Sequence, residues 1–512
     1  MRRRARRVLR HAALASAALM TSGLVSGTVV APTPATAVPS GPCGGLIQAH
    51  PRSSAYFTNP LGKSRADQDR ITHAMTSLIC SVTQVKADAK HHPTIELAMY
   101  LFDSAPGSDG IRDDGAIGRL VKALIWAQNT AHARVRVVFD GGVPRSSYPA
   151  PNPAYTMLRA PASGLKRPSQ LVVCTHHSKD TACAGDNIMH SKVLLVSQTG
   201  RHRKPAMIVT SQNLTPEAEN NTYNNAVQLV GGTSAFARYH RYFKTLLTSR
   251  RHPNLGGAMG TTRSHRVGTA RVSSYFFPRN DPSFHGQIKG GPNQGFPKKG
   301  RTDTKHQDAR VDTVANLLSE VTNCTDPGAT PSYRRVRHAL GHMTRGRTLI
   351  QIAMYQFHDR PQITRQLQRL IRVGCDVQLV YSETDVETFR QLAPLQGPTF
   401  RMWQGIRPEF HNPDFPVVPR CLFVHSKYLL VSGAIGGKQN QNLVLTGSEN
   451  WNAQGLHRND ESMIAIREQG RAPIYRKFAT EFANVDRPDA RRPNARGVAG
   501  CLLYTSPGLL DG

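Results

Sequence analysis

The sequence is poor in acidic residues. It contains 34 Asp and Glu against 65 Lys and Arg, which gives a formal net charge of +31 at pH 7. Such an imbalance says little about fold, but it favours partners that carry many negative charges, either nucleic acids or anionic membrane surfaces. A general preference of the host for arginine would produce the same composition. Charge alone therefore does not separate a lipid substrate from a nucleic acid.

Long hydrophobic runs are absent beyond the N-terminus. Residues 2–10 include six arginines, residues 12–31 are uncharged and mostly small or apolar, and residues 35–37 (Ala-Thr-Ala) offer a cleavage site. No later stretch approaches the roughly 20 apolar residues that a transmembrane helix needs. We therefore predict a signal peptide over residues 1–37 and a secreted, extracellular protein.

Patterns typical of metal sites are missing as well. None of the eight cysteines lies in a C-x-x-C pair, and neither the 21 histidines nor the acids show convincing ligand spacing. We therefore predict no metal and no other cofactor. An even number of cysteines beyond residue 37 suits disulfide bonds in an oxidising compartment. Cys174 and Cys183 are expected to close a short loop upstream of His190, and the other pairings stay open.

The sequence does contain a repeated peptide. One copy runs from His190 to Ser197 and reads HSKVLLVS, and the other runs from His425 to Ser432 and reads HSKYLLVS. A single copy would be typical of any β-strand beside a core. Two nearly identical copies indicate a duplicated functional element.

A second pair of short clusters follows at a matching distance. Thr210-Ser211-Gln212-Asn213 comes after the first peptide, and Gly447-Ser448-Glu449-Asn450 comes after the second. Each copy therefore supplies a histidine, a lysine (Lys192 and Lys427) and an asparagine. This recurrence predicts two half-sites that meet at one phosphate.

The duplication extends through most of the chain. Each half shows the order strand, helix, strand, helix, strand by its hydrophobic pattern, which favours an α/β fold with helices packed on a sheet. The predicted helices cover 69–82, 117–129, 309–321 and 363–373, and the predicted strands cover 94–102, 134–139, 350–357 and 376–381. We expect two tandem α/β sandwich halves with mixed, largely parallel sheets, related by a pseudo-twofold axis.

The domain limits follow from changes in composition. We predict a first half over residues 38–255, a linker over 256–272 and a second half over 273–512, with a basic loop inserted at 280–308. Residues 148–186 are expected to form a similar irregular insertion. Because one chain carries both motif copies, a complete site needs no dimer, and a monomer is expected.

The repeated residue types suit metal-independent phosphodiester chemistry. One imidazole can attack phosphorus to form a phosphohistidine. A second imidazole can give the leaving oxygen its proton. Lysines and asparagines can hold the charge on the non-bridging oxygens. His190 and His425 are the candidates for the two imidazole roles.

The chain resembles the phospholipase D superfamily, whose pattern is H-x-K-x4-D followed by G-S-x-N in each of two copies. The resemblance covers nearly all of the chain beyond the signal peptide and implies a phospholipase D-like fold. It implies that His190 and His425 are the nucleophile and the general acid. It further implies that the phosphate is bound by Lys192, Lys427, Asn213 and Asn450, with Ser211 and Ser448 assisting.

The sequence departs from the family pattern in both copies. Ser197 and Ser432 replace the motif Asp, which in the family lies beyond the strand, so the change is expected to alter a turn and not the chemistry. Glu461 fits the carboxylate that orients a histidine from its far side, whereas Asn224 occupies the matching position in the first copy. A carboxylate stabilises the imidazolium cation. If Glu461 reaches across the pseudo-twofold, His190 is the nucleophile and His425 the acid.

Three functions stay open at this point. The first is a secreted phospholipase D that hydrolyses phospholipid head groups and transfers the phosphatidyl group to alcohols at a membrane or micelle surface. The second is a secreted nuclease or other phosphodiesterase, although the 34 aromatic Phe, Tyr and Trp residues show no interleaving with basic residues that would stack bases. The third is a degenerate protein that binds phosphate or lipid. Apolar loops at 402–403 and 410–418 are candidates for contact with lipid.

Overall fold

The computed structural model describes residues 41–62, 64–84, 92–104, 115–144, 152–174, 181–260, 264–279, 312–322, 324, 347–409 and 420–485. The predicted signal peptide (1–37), the basic loop (280–308) and the apolar segment 410–418 lie outside these residues. No helix in the described ranges is long and apolar enough to cross a membrane.

The first half is built on a mixed sheet that has seven strands in the described residues, in the order β1-β8-β6-β5-β2-β3-β4. The strands are β1 (Ser54–Phe57), β2 (Thr94–Met99), β3 (Arg134–Phe139), β4 (Gln170–Val173), β5 (Lys192–Thr199), β6 (Lys204–Thr210), β7 (Thr222–Tyr223) and β8 (Asn225–Val230), of which β7 belongs to a separate small sheet. The helices are α1 (Arg65–Gln68), α2 (Arg70–Cys80), α3 (Ala116–Thr130), α4 (Pro153–Arg159), α5 (Pro216–Asn220), α6 (Thr233–Thr248) and α7 (Leu255–Ala258).

The second half repeats this plan on a sheet that has eight strands in the described residues, in the order β13-β12-β11-β16-β17-β18-β10-β9. The strands are β9 (His265–Val267), β10 (Ala270–Phe276), β11 (Leu349–Phe357), β12 (Asp376–Thr384), β13 (Phe400–Gln404), β14 (Ile406–Glu409), β15 (Arg420–Val424), β16 (Lys427–Ile435), β17 (Lys438–Gly447) and β18 (Ser462–Glu468). The helices are α8 (Thr313–Ser319), α9 (Pro361–Arg372), α10 (Val386–Leu392), α11 (Ala453–His457) and α12 (Pro473–Val485). β14, β15 and β7 form the small sheet, which joins the two halves.

The prediction of two α/β halves with mixed sheets is confirmed, but the balance of strand directions was wrong. Only β2-β3-β4 and β11-β12-β13 run parallel, and the other neighbours within the two large sheets run antiparallel. The reason is the connection length. The parallel strands are joined through helices such as α3 and α9, whereas β5 and β6, and likewise β16 and β17, follow each other through short turns that reverse the chain.

Two irregular segments of the sequence analysis contain regular structure. Residues 148–186, expected to be an irregular insertion, include α4 and the edge strand β4. Met402 and Trp403 lie on β13 and not on a loop, and the Trp403 ring packs edge-on against Phe482 at 6.2 Å. This pair therefore does not form an apolar loop for lipid contact.

The predicted linker, residues 256–272, also carries regular structure. It includes most of α7, the strand β9 and the start of β10. The domain limits themselves stay predictions.

The two halves share one hydrophobic core cluster, and each half has a further cluster of its own. α6 of the first half packs on β10 of the second, where the Tyr242 ring stacks on Phe276 at 4.7 Å. α12 of the second half packs on β1, and the Phe478 ring meets Phe57 edge-on at 4.9 Å. Because a helix of each half packs against the other half, the sheets and the site between them have fixed relative positions.

Three disulfide bonds tie loops to this framework. They join Cys43 to Cys80, Cys174 to Cys183 and Cys324 to Cys375. The predicted bond between Cys174 and Cys183 is confirmed. It closes the loop that leads to the first repeated peptide.

Candidate active site

Both repeated peptides begin at the middle of a sheet. Lys192 is the first residue of β5 and pairs with Met99 at the end of β2, and Lys427 is the first residue of β16 and pairs with Met354 near the end of β11. The preceding histidines therefore lie where a parallel strand ends. In sheets of this kind, functional groups gather at such strand ends.

Each histidine is held by a residue from the other half. His190 Nδ1 lies 2.7 Å from Glu461 Oε1, and His425 Nδ1 lies 2.8 Å from Asn224 Oδ1. All four side chains are buried. The crossing predicted for Glu461 is present in the geometry, and the two half-sites form one site between the halves.

The Asn224 amide fixes the proton position on His425. Asn224 Nδ2 donates to the Ala218 carbonyl oxygen at 3.0 Å, so Oδ1 faces the imidazole as an acceptor. His425 Nδ1 must therefore carry the proton. This leaves His425 Nε2 to exchange a proton with a ligand.

The two lysines are held in equivalent ways. Lys192 Nζ donates to the carbonyl oxygen of His190, and Lys427 Nζ donates to that of His425, both at 2.8 Å. Lys192 Nζ lies 4.9 Å from the ring centre of Tyr100, and Lys427 Nζ lies 5.0 Å from that of Tyr355. Each ammonium group is thus positioned by one carbonyl and one aromatic face.

Burial shapes the electrostatics of these groups. It lowers the pKa of Lys192 to about 7 and that of His190 to about 4, and Glu461 offsets only part of the effect. Burial also lowers the pKa of His425, with further lowering from Lys427, Lys192 and His190, so these groups lie close together. A phosphodiester anion bound among them would raise the pKa of every one.

Glu461 stays ionised in this setting. Burial raises its pKa, but the facing His190, together with Lys192 and Ser448, outweighs burial and holds the pKa below its ordinary value. His425 has no carboxylate in the equivalent place, because Asn224 is neutral. The two imidazoles therefore differ in their capacity to become cationic.

The motif serines lie behind the histidine partners. Ser211 Oγ donates to Asn224 Oδ1 at 3.0 Å, and Ser448 Oγ accepts from the Ser462 backbone next to Glu461 at 3.2 Å. Their contacts are with the groups that orient the imidazoles.

The motif asparagines are buried at the same site. Asn450 Nδ2 donates to Gln356 Oε1 at 3.1 Å. The carboxamide oxygens of Asn213 and Asn450 have no hydrogen-bond partner among the described residues.

The serines that replace the family's Asp lie far from the histidines. Ser197 Oγ accepts from the Thr94 backbone at 2.8 Å, and Ser432 Oγ donates to Asn442 Oδ1 at 2.9 Å. Each is five residues along its strand from the motif lysine, roughly 16 Å away. Both serve contacts between strands.

Several residues of the site were not predicted from the sequence. Tyr100 and Tyr355 lie 4.8 Å and 4.9 Å, ring to ring, from His190 and His425. Both end an Ala-Met-Tyr tripeptide, at 98–100 and 353–355. That repeat was available in the sequence and could have identified them.

Two buried aspartates were also missed, and they hold the loop before His190. Asp140 accepts from the Met189 backbone at 2.8 Å, and Asp460 accepts from the backbone N–H groups of Cys183, Ala184 and Gly185. Burial raises the pKa of both aspartates to about 7. No sequence spacing links these residues, because they meet only through the fold.

One group in the described residues could hold a metal ion by geometry. It comprises His358, Asp359 and Asp385. Asp385, however, accepts from Thr388 N and Thr388 Oγ1 as the cap of α10, and from Asp359 N at 2.9 Å. Helix capping accounts for the position of Asp385.

These features define a class: an α/β protein of two similar halves, with two buried His-x-Lys pairs whose histidines are each completed by a side chain of the other half. Residues 340–485 match the family model described as "Cardiolipin synthase, PLD-like domain". Comparison with curated proteins gave no match. The match covers part of the second half, and together with the motif copies in both halves it supports membership of the phospholipase D superfamily, whose members act on phosphodiesters.

The solved structures that match this chain share little sequence with it. Phosphatidylserine synthase from Haemophilus influenzae Rd KW20 is 10% identical over 91% of this chain and 94% of its own, with a TM-score of 0.49. Nuc from Salmonella typhimurium, a phospholipase D family member, is 19% identical over 32% of this chain and 93% of its own, with a TM-score of 0.19. Polyphosphate kinase from Porphyromonas gingivalis is 11% identical over 85% of this chain, with a TM-score of 0.40, and this chain spans 50% of that kinase.

Proposed function

We propose that the protein is a secreted phospholipase D that cleaves phospholipid head groups through a phosphohistidine intermediate. The observation that carries the proposal is the pairing of two buried His-x-Lys half-sites with unlike histidine partners, Glu461 for one and Asn224 for the other. Because their hydrogen-bond partners differ, the two histidines are suited to different roles in the reaction. His190 acts as the nucleophile and His425 as the acid and then the base.

The reaction has two displacements. In the first, His190 Nε2 attacks phosphorus, the bond from phosphorus to the head-group oxygen breaks, and that oxygen takes the proton of His425 Nε2. In the second, water attacks phosphorus, gives its proton to His425 and breaks the bond from phosphorus to His190. The products are the head-group alcohol and a phosphatidic acid. An alcohol in place of water gives transphosphatidylation.

The remaining residues stabilise charge and orientation. Lys192, Lys427, Asn213 and Asn450 hold the non-bridging oxygens, which carry the negative charge in the transition state. Glu461 stabilises the positive charge that develops on His190 when the phosphohistidine forms. Burial of the whole site strengthens each of these interactions, because water screens them less.

Secretion and a lipid substrate are supported by separate observations. Three disulfide bonds suit an oxidising compartment. The large excess of basic over acidic residues favours an anionic lipid surface, but it equally favours the second candidate, a nuclease of the same superfamily. The first experiment must therefore separate these substrates.

That experiment offers the mature protein phosphatidylcholine vesicles and plasmid DNA in parallel, with EDTA present. We expect choline release without nicking of the plasmid, and transfer to ethanol when ethanol is added. Nicking without choline release would move the function to a nuclease. Activity on neither would contradict both and leave a binding role or another phosphodiester.

The histidine roles have their own test. Both His190→Ala and His425→Ala are expected to lose turnover by several orders of magnitude. Only His190→Ala should also lose the covalent phosphoenzyme that can be trapped by acid quench during turnover of a labelled lipid. A phosphoenzyme in His190→Ala and its absence in His425→Ala would reverse the assignment.

A further inference from the structure

The two catalytic histidines are carried by different backbone structures. His425 directly follows β15, which pairs with β14 and β7, and its N–H group donates to the Tyr223 carbonyl oxygen at 3.0 Å. His190 instead lies in a loop, because residues 181–191, all of which the structure describes, form no helix or strand. Buried backbone groups without strand pairing need other hydrogen-bond partners. The loop before His190 must therefore be held in another way.

The carboxylate of Asp460 supplies these partners from the second half. Its Oδ2 accepts from Cys183 N at 2.7 Å, its Oδ1 accepts from Gly185 N at 2.6 Å, and Ala184 N lies 3.0 Å and 3.2 Å from the two oxygens. Asp460 is fully buried. Hydrogen bonds to an ionised acceptor are stronger than those between neutral groups. One side chain thus fixes three consecutive N–H groups of the loop.

The backbone around Asp460 holds the same loop. Asp460 N donates to the Ile188 carbonyl oxygen at 3.0 Å, and Asp186 N donates to the Arg458 carbonyl oxygen at 2.9 Å. A Cβ at Gly185 would lie 2.0 Å from that Arg458 oxygen, so the two segments approach as closely as a glycine permits. The loop therefore lies directly against residues 458–460 of the other half.

Asp460 is also the direct neighbour of the residue that orients the imidazole. Glu461 Oε1 lies 2.7 Å from His190 Nδ1, so adjacent carboxylates of one segment hold the loop backbone and the histidine ring. Asp140 holds the far end of the loop, where it accepts from Met189 N at 2.8 Å. The direction and depth of His190 Nε2 in the site depend on all three contacts.

We propose that Asp460 is a positioning residue for the nucleophile, because its carboxylate holds a loop without strand pairing and thereby keeps His190 at attacking distance from phosphorus. This inference rests on the proposed function and on His190 as the nucleophile. In the first half, Tyr223 occupies the equivalent position, and its backbone carbonyl is sufficient because His425 follows a strand. Attack needs a separation of about 3–3.5 Å, and a displacement of about 1 Å can lower the rate by roughly 100-fold.

The test is Asp460→Asn, which keeps the shape of the side chain but turns one accepting oxygen into a donor that faces the loop N–H groups. The substrate is dihexanoyl phosphatidylcholine below its micelle concentration, at pH 8, where Asp460 with its pKa of about 7 is ionised. We expect kcat to fall by about 100-fold. KM should change by less than about twofold, because Asp460 does not touch the phosphate. Phosphoenzyme formation in a rapid-quench experiment should slow by the same factor as kcat.

Asp385→Asn is the matched control. Asp385 is also a buried carboxylate that accepts from backbone N–H groups, those of Thr388 and Asp359, but it holds the start of α10. Its replacement should lower the Tm and leave kcat unchanged. Asp140→Asn loosens the other end of the His190 loop and should lower kcat without raising KM, which keeps the test decisive if Asp460→Asn does not fold. A thermal melt of each variant verifies folding.

Other outcomes separate this inference from the function on which it rests. A folded Asp460→Asn that has a lower Tm but a normal kcat and normal phosphoenzyme formation would overturn the positioning role and leave the phospholipase activity intact. A loss confined to KM would overturn it as well. If the unaltered protein nicks DNA and does not cleave the lipid, the proposed function is overturned, and the same variants compared by their nicking rates decide the role of Asp460.

Discussion

Asn224 is the residue that makes the site asymmetric. Glu461 and Asn224 lie at equivalent positions, thirteen residues after the motif serines, and each accepts from the histidine of the other half. A carboxylate stabilises an imidazolium, whereas an amide stabilises it much less. The Asn224 side therefore suits a group that must give up a proton readily.

Asn224→Asp should make the two sides alike. A negative charge beside His425 raises the pKa of that imidazole, so its acid form persists to higher pH. We expect the alkaline limb of the kcat–pH profile to move upward by roughly one to two pH units. Asn440→Asp, which adds the same charge at an exposed position near the start of β17, is the control and should leave the limb in place. An unmoved limb in Asn224→Asp would show that His425 is not the acid.

His190 makes the fold sensitive to acid. Its pKa is lowered by burial from 6.5 to about 4, so between these values the unfolded chain binds a proton that the folded chain does not. The stabilisation is present above pH 6.5 and is lost as the pH falls toward 4. His190→Asn removes this effect, which amounts to as much as about 3 kcal/mol in the free energy of unfolding.

The measurement is the difference in unfolding free energy between His190→Asn and the unaltered protein at pH 7 and at pH 4.5. A difference is needed because Asp140 and Asp460, whose pKa values are raised to about 7, act in the opposite direction over this range. The asparagine variant should gain relative stability as the pH falls. A pH-independent difference would contradict a neutral, buried His190.

At the scale of an element, the contact between β17 and β18 positions Glu461. Gly447 ends β17 opposite Met463, and a Cβ at Gly447 would lie 2.1 Å from the Ser462 carbonyl oxygen. The first half has Thr210 in this place, opposite Ala226, and accommodates its side chain with a hydrogen bond to the Asn225 carbonyl oxygen. The spacing between β17 and β18 therefore differs from the spacing between β6 and β8 just before Glu461 and Asn224, the residues that contact the histidines.

Gly447→Ala should disturb both stability and activity. The added carbon forces β17 and β18 apart, which costs about 1–3 kcal/mol and moves Glu461 away from His190. Thermal unfolding and kcat on the same preparation test this, with Thr210→Ser as the control because it keeps the hydroxyl at the equivalent position. A normal Tm together with normal kcat in Gly447→Ala would refute the close approach of these strands.

At the scale of the whole molecule, the two halves depend on each other. The Phe478 ring on α12 contacts Phe57 of the first half at 4.9 Å and Tyr428 of the second at 5.1 Å. The active site uses the same arrangement, because each histidine is completed from the opposite half. Each half has a core cluster of its own, but a third cluster and the site contain residues of both halves.

Phe478→Ala should therefore destabilise the whole protein. Removal of a buried phenylalanine side chain costs about 3–5 kcal/mol, and calorimetry should show one transition at a lower temperature, because both halves lose contacts together. Phe389→Ala is the control, since Phe389 is 45% exposed on α10 and should have little effect. Two separate transitions would show that the halves fold independently.

The sequence by itself determined those features of this protein that recur as short local patterns in both halves. The two HSK peptides, the Ser-x-Asn clusters and the helix and strand periods are short-range patterns, and each recurs in both halves. Repetition separates such a pattern from the background of ordinary strands. It was enough to predict the α/β halves and to select the two His-x-Lys pairs as candidates. The bond between Cys174 and Cys183 was predicted from the short spacing of these cysteines.

Only the tertiary structure decided how these parts meet. The antiparallel majority of the strands and the aspartates that hold the loop before His190 have no local signature. They depend on side chains that are hundreds of residues apart, such as Asp460 and Cys183. A sequence pattern records what each residue can do, and the chemistry depends on which residues the two sheets bring within hydrogen-bond distance.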